Sequence, residues 1–219
     1  MKPLLDLKVR LESIVRVSDQ AIVAKELLLR PVAGGCIVDH AARAHIDMAW
    51  VTGYALEAAS ALLEHGRRPL HVNITPADLA RPSFVPMVHG SLTIDALGLL
   101  ILEVTEHTPL LNSDQVQRTL LALRRLGVRF AIDDYGDGWA DMTSVEIVKP
   151  EIIKVRLDRL RAGRTGAELA GALRDASERL HAHVVVEQVE TCSDLLTVRA
   201  LGFSHAQGWY WTADPDCRR

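Results

Sequence analysis

The sequence predicts an α/β protein built on a largely parallel sheet, either open or closed. Short apolar, β-branched segments alternate with longer segments of helical periodicity along the chain, and this alternation is typical of βα units. The turn-like residues Ser18, Asp19 and Gln20 separate the first two strand segments, which predicts a hairpin and one antiparallel strand. Most predicted strands carry a polar residue near the carboxyl end, where α/β barrels build their active sites.

The first half of the chain predicts four strands and one long helix. In order, the predicted elements are strands at 14–17 and 21–29, a helix at 47–65, and strands at 69–74 and 99–104. Gly66 follows the helix, and glycine is common just past a helix end. Residues 31–46 show no clear periodicity and are assigned to no element.

The second half predicts four strands and two helices. In order, they are a helix that follows Ser113, strands at 128–132 and 152–155, a helix at 166–180, and strands at 183–187 and, more weakly, near 203–207. Ser113 and Asp114 are a good helix start and Gly127 a good stop, because a serine side chain caps free N–H groups and glycine accepts a left-handed backbone.

Composition restricts the class of protein. The chain has 219 residues, of which 48% are hydrophobic and 24% charged, and α/β barrels use such lengths as one domain; we expect residues 1–219 to form a single domain. The net charge of −3 gives no basic excess, so neither DNA binding nor an anionic membrane surface is expected.

The sequence also favours a cytoplasmic protein. Its cysteines, Cys36, Cys192 and Cys217, are odd in number and scattered, which is typical of a reducing compartment. Charges run through the first residues without an apolar segment, so no signal peptide is expected. No run approaches the roughly 18 apolar residues of a membrane span.

The polar strand ends suggest a cation site. Their residues are Glu26, Asn73, Glu103, Asp133 with Asp134, Lys154, Glu187 and Gln207. A buried unpaired charge costs several kcal/mol, so these groups are expected to meet one another or a metal. Carboxylate and amide oxygens suit Mg²⁺ or Mn²⁺ rather than zinc.

Adjacent carboxylates at 133 and 134 admit two interpretations. Asp and Gly are ordinary turn residues, so a solvated turn is the simpler one. The set of polar strand ends favours the other, in which one carboxylate bridges two cations and its neighbour binds one of them. Such two-metal sites catalyse in-line displacement at phosphorus, and Lys154 is expected to orient the nucleophile or stabilise phosphoryl charge.

The ordered motifs resemble the EAL family of cyclic di-GMP phosphodiesterases. The matching segments are ESIVRVSDQAIVAKELLLR (12–30), HVNIT (71–75), LEVTE (102–106), AIDDYGDGWADM (131–142), KPEIIKVRLDRL (149–160), VVEQVET (185–191) and AQGWYW (206–211). The resemblance implies a (β/α)8 TIM-like barrel with an antiparallel first strand. It also implies hydrolysis of cyclic di-GMP to linear pGpG with two Mg²⁺ or Mn²⁺ ions.

The resemblance assigns roles residue by residue. It implies a first metal held by Glu26, Asn73, Glu103 and Asp133, and a second by Asp133, Asp134 and Glu187. It makes Lys154, Glu187 and Glu26 catalytic, with Lys154 on the nucleophilic water, and it places Arg30, Leu29 and Gln207 on the substrate. Glu106 is expected to brace the glycine loop after Asp134, and Glu190 to support the site from behind.

Several positions depart from the family pattern. The signature reads Glu26-Leu27-Leu28 instead of Glu-Ala-Leu, the segment after Arg30 is shortened, Asp137 replaces a threonine, Arg156 an aspartate and Gln188 a glycine, and Glu12-Ser13 replaces Gln-Pro. Residues two apart on a strand share a face, so Arg156 is expected near the site. It either neutralises Asp137 or another acid, or binds phosphate.

Two functions remain open at this stage. The complete set of metal-ligand residues favours an active phosphodiesterase, whereas the departures favour an inactive EAL-like protein that binds cyclic di-GMP or a protein partner as a regulator. A homodimer is also open. The aromatic residues at 209–211 either stack on a guanine or form a lid or interface, and the nine histidines are interpreted as surface or core residues.

Overall fold

Eight strands form a closed barrel in a computed structural model that describes residues 6–211. The strands are β1 (Leu7–Arg16), β2 (Ile22–Pro31), β3 (Leu70–Ile74), β4 (Leu100–Val104), β5 (Arg129–Ile132), β6 (Ile152–Arg156), β7 (His183–Glu187) and β8 (His205–Gln207). They neighbour one another in chain order. All pairs are parallel except those of β1, which is antiparallel to both β2 and β8. The predicted barrel with its antiparallel first strand is confirmed.

Helices connect the strands around the outside. They are α1 (Ile37–Arg43), α2 (Met48–Leu63), α3 (Pro76–Leu79), α4 (Phe84–Ser91), α5 (Ile94–Leu97), α6 (Asp114–Arg125), α7 (Met142–Val148), α8 (Leu157–Leu160), α9 (Gly163–Leu180) and α10 (Cys192–Ala200), with a 3₁₀ turn at Trp209–Trp211. Ser113 caps α6 by accepting from the Val116 N–H, as predicted, and Gly127 follows with φ +90°.

The hairpin is confirmed, and its first strand is longer than predicted. β1 begins at Leu7, and its first half pairs with β2 as far as Pro31. The segment 31–46, which lacked a pattern, contains the short helix α1. α2 ends at Leu63, with Glu64 in the capping position, so Gly66 lies beyond the cap. Cys217, the third of the scattered cysteines, lies outside the described residues.

The interior of the barrel is divided into an apolar floor and a polar mouth. Six inward side chains form a separate small core on the floor: Ile14, Ala24, Ile101, Ala131, Ile152 and Val185. On five of these strands, β2 and β4 to β7, an acid or Lys154 lies two residues further along, because alternate strand residues share a face. On the antiparallel β1 the acid is Glu12, two residues before Ile14. The large second core lies between strands and helices. The floor therefore closes the barrel from below and leaves the polar residues at the carboxyl ends of the strands.

Candidate active site

Lys154 lies at the centre of the polar mouth. Its side chain is only 1% exposed, and its Nζ lies 2.7 Å from Glu187 Oε1, 3.0 Å from Glu103 Oε2, 3.1 Å from Glu26 Oε2 and 3.2 Å from Asp133 Oδ1. Burial alone would lower the pKa of this amine, but the four carboxylates outweigh burial and raise it well above its usual value. Lys154 is therefore an ammonium ion, and it stands among the carboxylates where a bound cation would also be attracted.

Glu26 is the best-satisfied acid of the site. Its Oε2 also accepts from Gln207 Nε2 at 2.5 Å, and its Oε1 accepts from Asn73 Nδ2 at 2.7 Å. Burial would raise the pKa of Glu26, but the charge of Lys154 and the two amide donors outweigh burial and lower it to about 2. Glu26 is thus an anion at neutral pH, held from three sides.

The other acids are poorly compensated. Burial, followed by repulsion between neighbouring carboxylates, raises the pKa of Glu103, Asp133 and Glu187 despite Lys154. Asp133 Oδ1 is buried and lies outside hydrogen-bonding geometry with Lys154, so it has only the ionic contact. One ammonium faces four carboxylates, and a divalent cation would supply the missing positive charge.

A second group of acids lies beside the first. Carboxylate oxygens of Glu106, Asp133 and Asp134, all half-buried, lie within 4.8 Å of one another. The pKa of Asp134 is raised to about 6 by burial and by the charges of Asp133 and Glu106. Hard oxygen donors at this spacing fit a divalent cation. Because Asp133 belongs to both groups, it stands where a bridging ligand would.

The raised pKa of Asp134 gives a prediction about stability. A carboxyl whose pKa is higher in the folded than in the unfolded protein stabilises the fold below its unfolded pKa, and this contribution is lost as the pH rises through the folded value. For Asp134 the window runs from its usual 3.8 to about 6. Without metal, Asp134→Asn should therefore gain stability relative to wild type as the pH rises from 4 to 7, measured by urea unfolding. A constant difference between the two proteins would contradict the assignment.

The glycine loop after Asp134 is fixed to the neighbouring strand end. Asp134 adopts φ +46°, Gly136 φ +94° and Gly138 φ +50°. A Cβ on Gly138 would lie 2.6 Å from the carbonyl oxygen of Glu106, and that oxygen accepts from the Trp139 N–H at 3.0 Å. Glu106 thus touches the loop with its backbone, while its carboxylate joins the Asp133–Asp134 pair.

Arg156 pairs with acids at the rim. Its Nη1 lies 3.4 Å from Asp137 Oδ2 and its Nη2 2.6 Å from Asp158 Oδ2. Arg159 forms an ion pair with the other oxygen of Asp137. Of the alternatives for Arg156, the structure shows neutralisation of Asp137. The two arginines therefore tie the glycine loop to the end of β6 and to α8.

This tie is expected to hold Asp134 in place. Because the loop carries Asp134 in a left-handed backbone, Asp137→Asn should loosen it and reduce turnover several-fold. The free energy of unfolding should fall by no more than about 1 kcal/mol, because both partner arginines are accessible to solvent. Asp158→Asn is the matched control, since Asp158 is an exposed partner of Arg156 outside the loop. Equal turnover of the two variants in a phosphodiesterase assay would refute the loop's dependence on Asp137.

A cavity of about 870 Å³ opens above the carboxylates. Arg30, Leu29 and Gln207, predicted to bind the substrate, all line it, as does Glu190, predicted to support the site from behind. Arg30 is half-buried and donates only a long bond, 3.4 Å, to the Leu29 carbonyl, so its charge is directed at the cavity without a carboxylate partner in the described contacts. Gln207 is 3% exposed and donates to Glu26 and, at 3.3 Å, to Glu12. Glu190 is exposed at the rim.

The aromatic residues 209–211 form a short 3₁₀ turn over one side of the cavity. Trp209 is 46% exposed and lines the cavity, and Arg10 lies 5.9 Å from its ring centre. Tyr210 and Trp211 pack against the large core and contact each other edge-on at 5.2 Å. Trp209 is therefore placed where it can contact a bound molecule, whereas its two neighbours serve packing.

The sequence analysis gave no role in the site to two of its polar residues. Glu12 lies opposite Glu26 in the hairpin register and lines the cavity. His71 is buried, and its Nδ1 lies 2.5 Å from Glu103 Oε1. A signal for His71 existed, because it precedes Asn73 by two residues and must share its inward face.

Fold and mouth together define an α/β barrel with a cluster of carboxylates at its mouth that could hold a divalent cation. The chain belongs to the EAL domain family, whose model matches residues 6–214. Among residues 6–211, every helix is too short or too polar to cross a bilayer.

Named relatives and solved structures support this membership. The cyclic di-GMP phosphodiesterase NbdA of Pseudomonas aeruginosa is 33% identical over 69% of this chain, which spans 20% of NbdA. An EAL domain protein of Listeria monocytogenes has the same fold, with a TM-score of 0.80, 19% identity and coverage of 94% of this chain and 87% of the other. BlrP1 of Klebsiella pneumoniae, in a manganese and cyclic di-GMP complex, is 28% identical with a TM-score of 0.76, over 94% of this chain and 55% of BlrP1.

Proposed function

We propose that the protein hydrolyses cyclic di-GMP to linear pGpG and uses two Mg²⁺ or Mn²⁺ ions. The observation that carries the proposal is the excess of carboxylates over cations at the mouth of a large cavity: Lys154 alone faces four of them, and Asp134 and Glu106 add two more. The family, the relation to the phosphodiesterase NbdA and the manganese complex of BlrP1 support the same reading.

The residues divide into two ligand sets that share Asp133. Glu26, Asn73, Glu103 and Asp133 would hold one ion, and Asp133, Asp134 and Glu187 the other, with Glu106 close enough to contribute. When bound, such ions polarise the phosphoryl oxygens and lower the pKa of water. Entry of an ion into the first set requires the Lys154 ammonium to withdraw from part of its four contacts, because both positive charges seek the same oxygens.

Lys154 then takes a new role. Lys154 extends from β6, and its ammonium would stay beside Glu187 and Asp133, which it contacts at 2.7 and 3.2 Å. There it would orient the attacking water and stabilise negative charge on the phosphoryl group. Arg30 on the cavity wall would bind the anionic substrate.

The reaction balances without a further reactant. Water adds one new P–O bond to a phosphate of the ring, the bond between that phosphorus and the 3′ oxygen breaks, and the 3′ oxygen takes up a proton. One ring opening gives pGpG. Binding energy and ion charge would be concentrated on the phosphoryl group, since positioning and electrostatics dominate phosphoryl transfer.

A second candidate function follows from Lys154 itself. Its Nζ already occupies the centre of the four carboxylates, and a barrel whose ammonium kept that place would bind cyclic di-GMP or a protein partner as a regulator without cleaving it. Purified protein incubated with Mn²⁺ and cyclic di-GMP separates the two, with pGpG detected by chromatography and binding by calorimetry. Product supports the enzyme, and binding without product supports the regulator.

A further inference from the structure

His71 is a polar side chain next to the apolar floor of the barrel. It is 2% exposed and lies on β3, in register with Glu26 on one side and Ile101 on the other. The inward residues of the adjoining floor are aliphatic, with Ala24 and Ala131 the smallest. An imidazole buried among such groups is costly unless its N–H finds an acceptor, so the contact it makes indicates its role.

That contact is with Glu103, a fully buried carboxyl. Nδ1 of His71 lies 2.5 Å from Glu103 Oε1, and the other oxygen, Oε2, lies 3.0 Å from Lys154 Nζ. Each oxygen of Glu103 therefore has its own partner, one below and one at the centre of the cluster. With both oxygens held, the carboxyl group has no freedom to rotate.

The direction of the hydrogen bond follows from charge. An ionised carboxylate can only accept. When Glu103 is ionised, as a metal ligand must be, the bond requires the tautomer with the proton on Nδ1.

We propose that His71 is a positioning residue for Glu103, whose Oε1 it holds so that Oε2 alone faces the centre of the cluster. This positioning should give the site a higher affinity for a divalent ion, because a carboxylate that is already fixed loses less freedom when the ion binds. The inference rests on the proposed function in that Glu103 is taken as a metal ligand. It assigns His71 no contact with substrate or metal.

Two variants at this position separate positioning from packing. Asn presents a side-chain N–H close to where His places Nδ1–H, whereas Leu fills the space without a donor. The measurement is the Mn²⁺ dissociation constant by calorimetry on the intact protein, with thermal unfolding as a folding check. We expect His71→Leu to weaken Mn²⁺ binding by about tenfold or more, as loss of a hydrogen bond to a ligand does, and His71→Asn to stay close to wild type.

The outcomes distinguish failure of the proposed function from failure of the inference about His71. If wild type binds no Mn²⁺, the proposed function fails and the inference fails with it. If wild type binds and folded His71→Leu binds equally well, the inference alone is wrong. Should His71→Leu fail to fold, His71→Asn decides: wild-type affinity supports the positioning role, and a folded Asn variant with weak binding overturns it.

Discussion

Asp133→Asn is expected to abolish metal-dependent turnover, with a loss of at least about a thousandfold. Asp133 is the one acid that belongs to both carboxylate groups. In the proposed mechanism, replacing it would remove a charged ligand from two ions at once. Such ions supply several kcal/mol of transition-state stabilisation, at about 1.4 kcal/mol per factor of ten. Initial rates with Mn²⁺ and cyclic di-GMP provide the measurement.

The same substitution should leave the fold intact or stabilise it. Without metal, the buried Asp133 Oδ1 has no hydrogen bond, and burial raises the pKa of Asp133. The ionised carboxylate therefore destabilises the folded state. The amide of Asn carries no charge, and three carboxylates remain around Lys154. Asp95→Asn, on an exposed turn of α5, is the control and should change neither rate nor melting temperature. A fully active Asp133→Asn protein would refute the bridging role.

Lys154→Met is expected to be the most destabilising change at the site. It removes the single ammonium that faces Glu26, Glu103, Asp133 and Glu187. Breaking a buried ion cluster by removing one partner costs about 3–5 kcal/mol. Chemical unfolding at pH 7 in the presence of a chelator should show this loss, together with complete loss of turnover.

The stability of Lys154→Met should depend on both pH and Mn²⁺. Without the ammonium, the four carboxylates bind protons even more tightly in the folded state, so the loss of stability should shrink as the pH falls toward 5 and grow as it rises. Mn²⁺ should raise the melting temperature of the variant more than that of wild type, because no ammonium competes for the oxygens. Lys8→Met, an exposed change on β1, is the control. A variant insensitive to Mn²⁺ would show that these carboxylates do not bind the ion.

Much of the fold could be predicted because its signals are local. The hairpin is encoded by the turn at Ser18–Gln20, and the helix α6 by its cap at Ser113. The alternation of strands and helices then leaves few topologies, and family resemblance selects the closed barrel. Helices of four residues, such as α3 and α5, could not be predicted because one turn is too short to display a periodicity.

The site could be predicted as a set of residues, but not as a set of contacts. The inward face of each strand follows from alternation, which brings Asn73 and Glu103 side by side in register. Lys154 reaches carboxylates that are distant in the chain, and Glu26 is 128 positions away. This contact depends on closure of the barrel and on the length of the lysine side chain. The pairing of Asp137 with Arg156 likewise depends on how the glycine loop folds back over β6.

The most direct test of the account is to locate manganese in the protein. Crystals soaked with Mn²⁺ and a non-hydrolysable analogue of cyclic di-GMP should show anomalous density at two positions that share Asp133, with the Lys154 ammonium withdrawn from some of its four carboxylates. If the ammonium still contacts all four and no anomalous density lies among them, divalent ions do not neutralise this mouth, and the account is wrong.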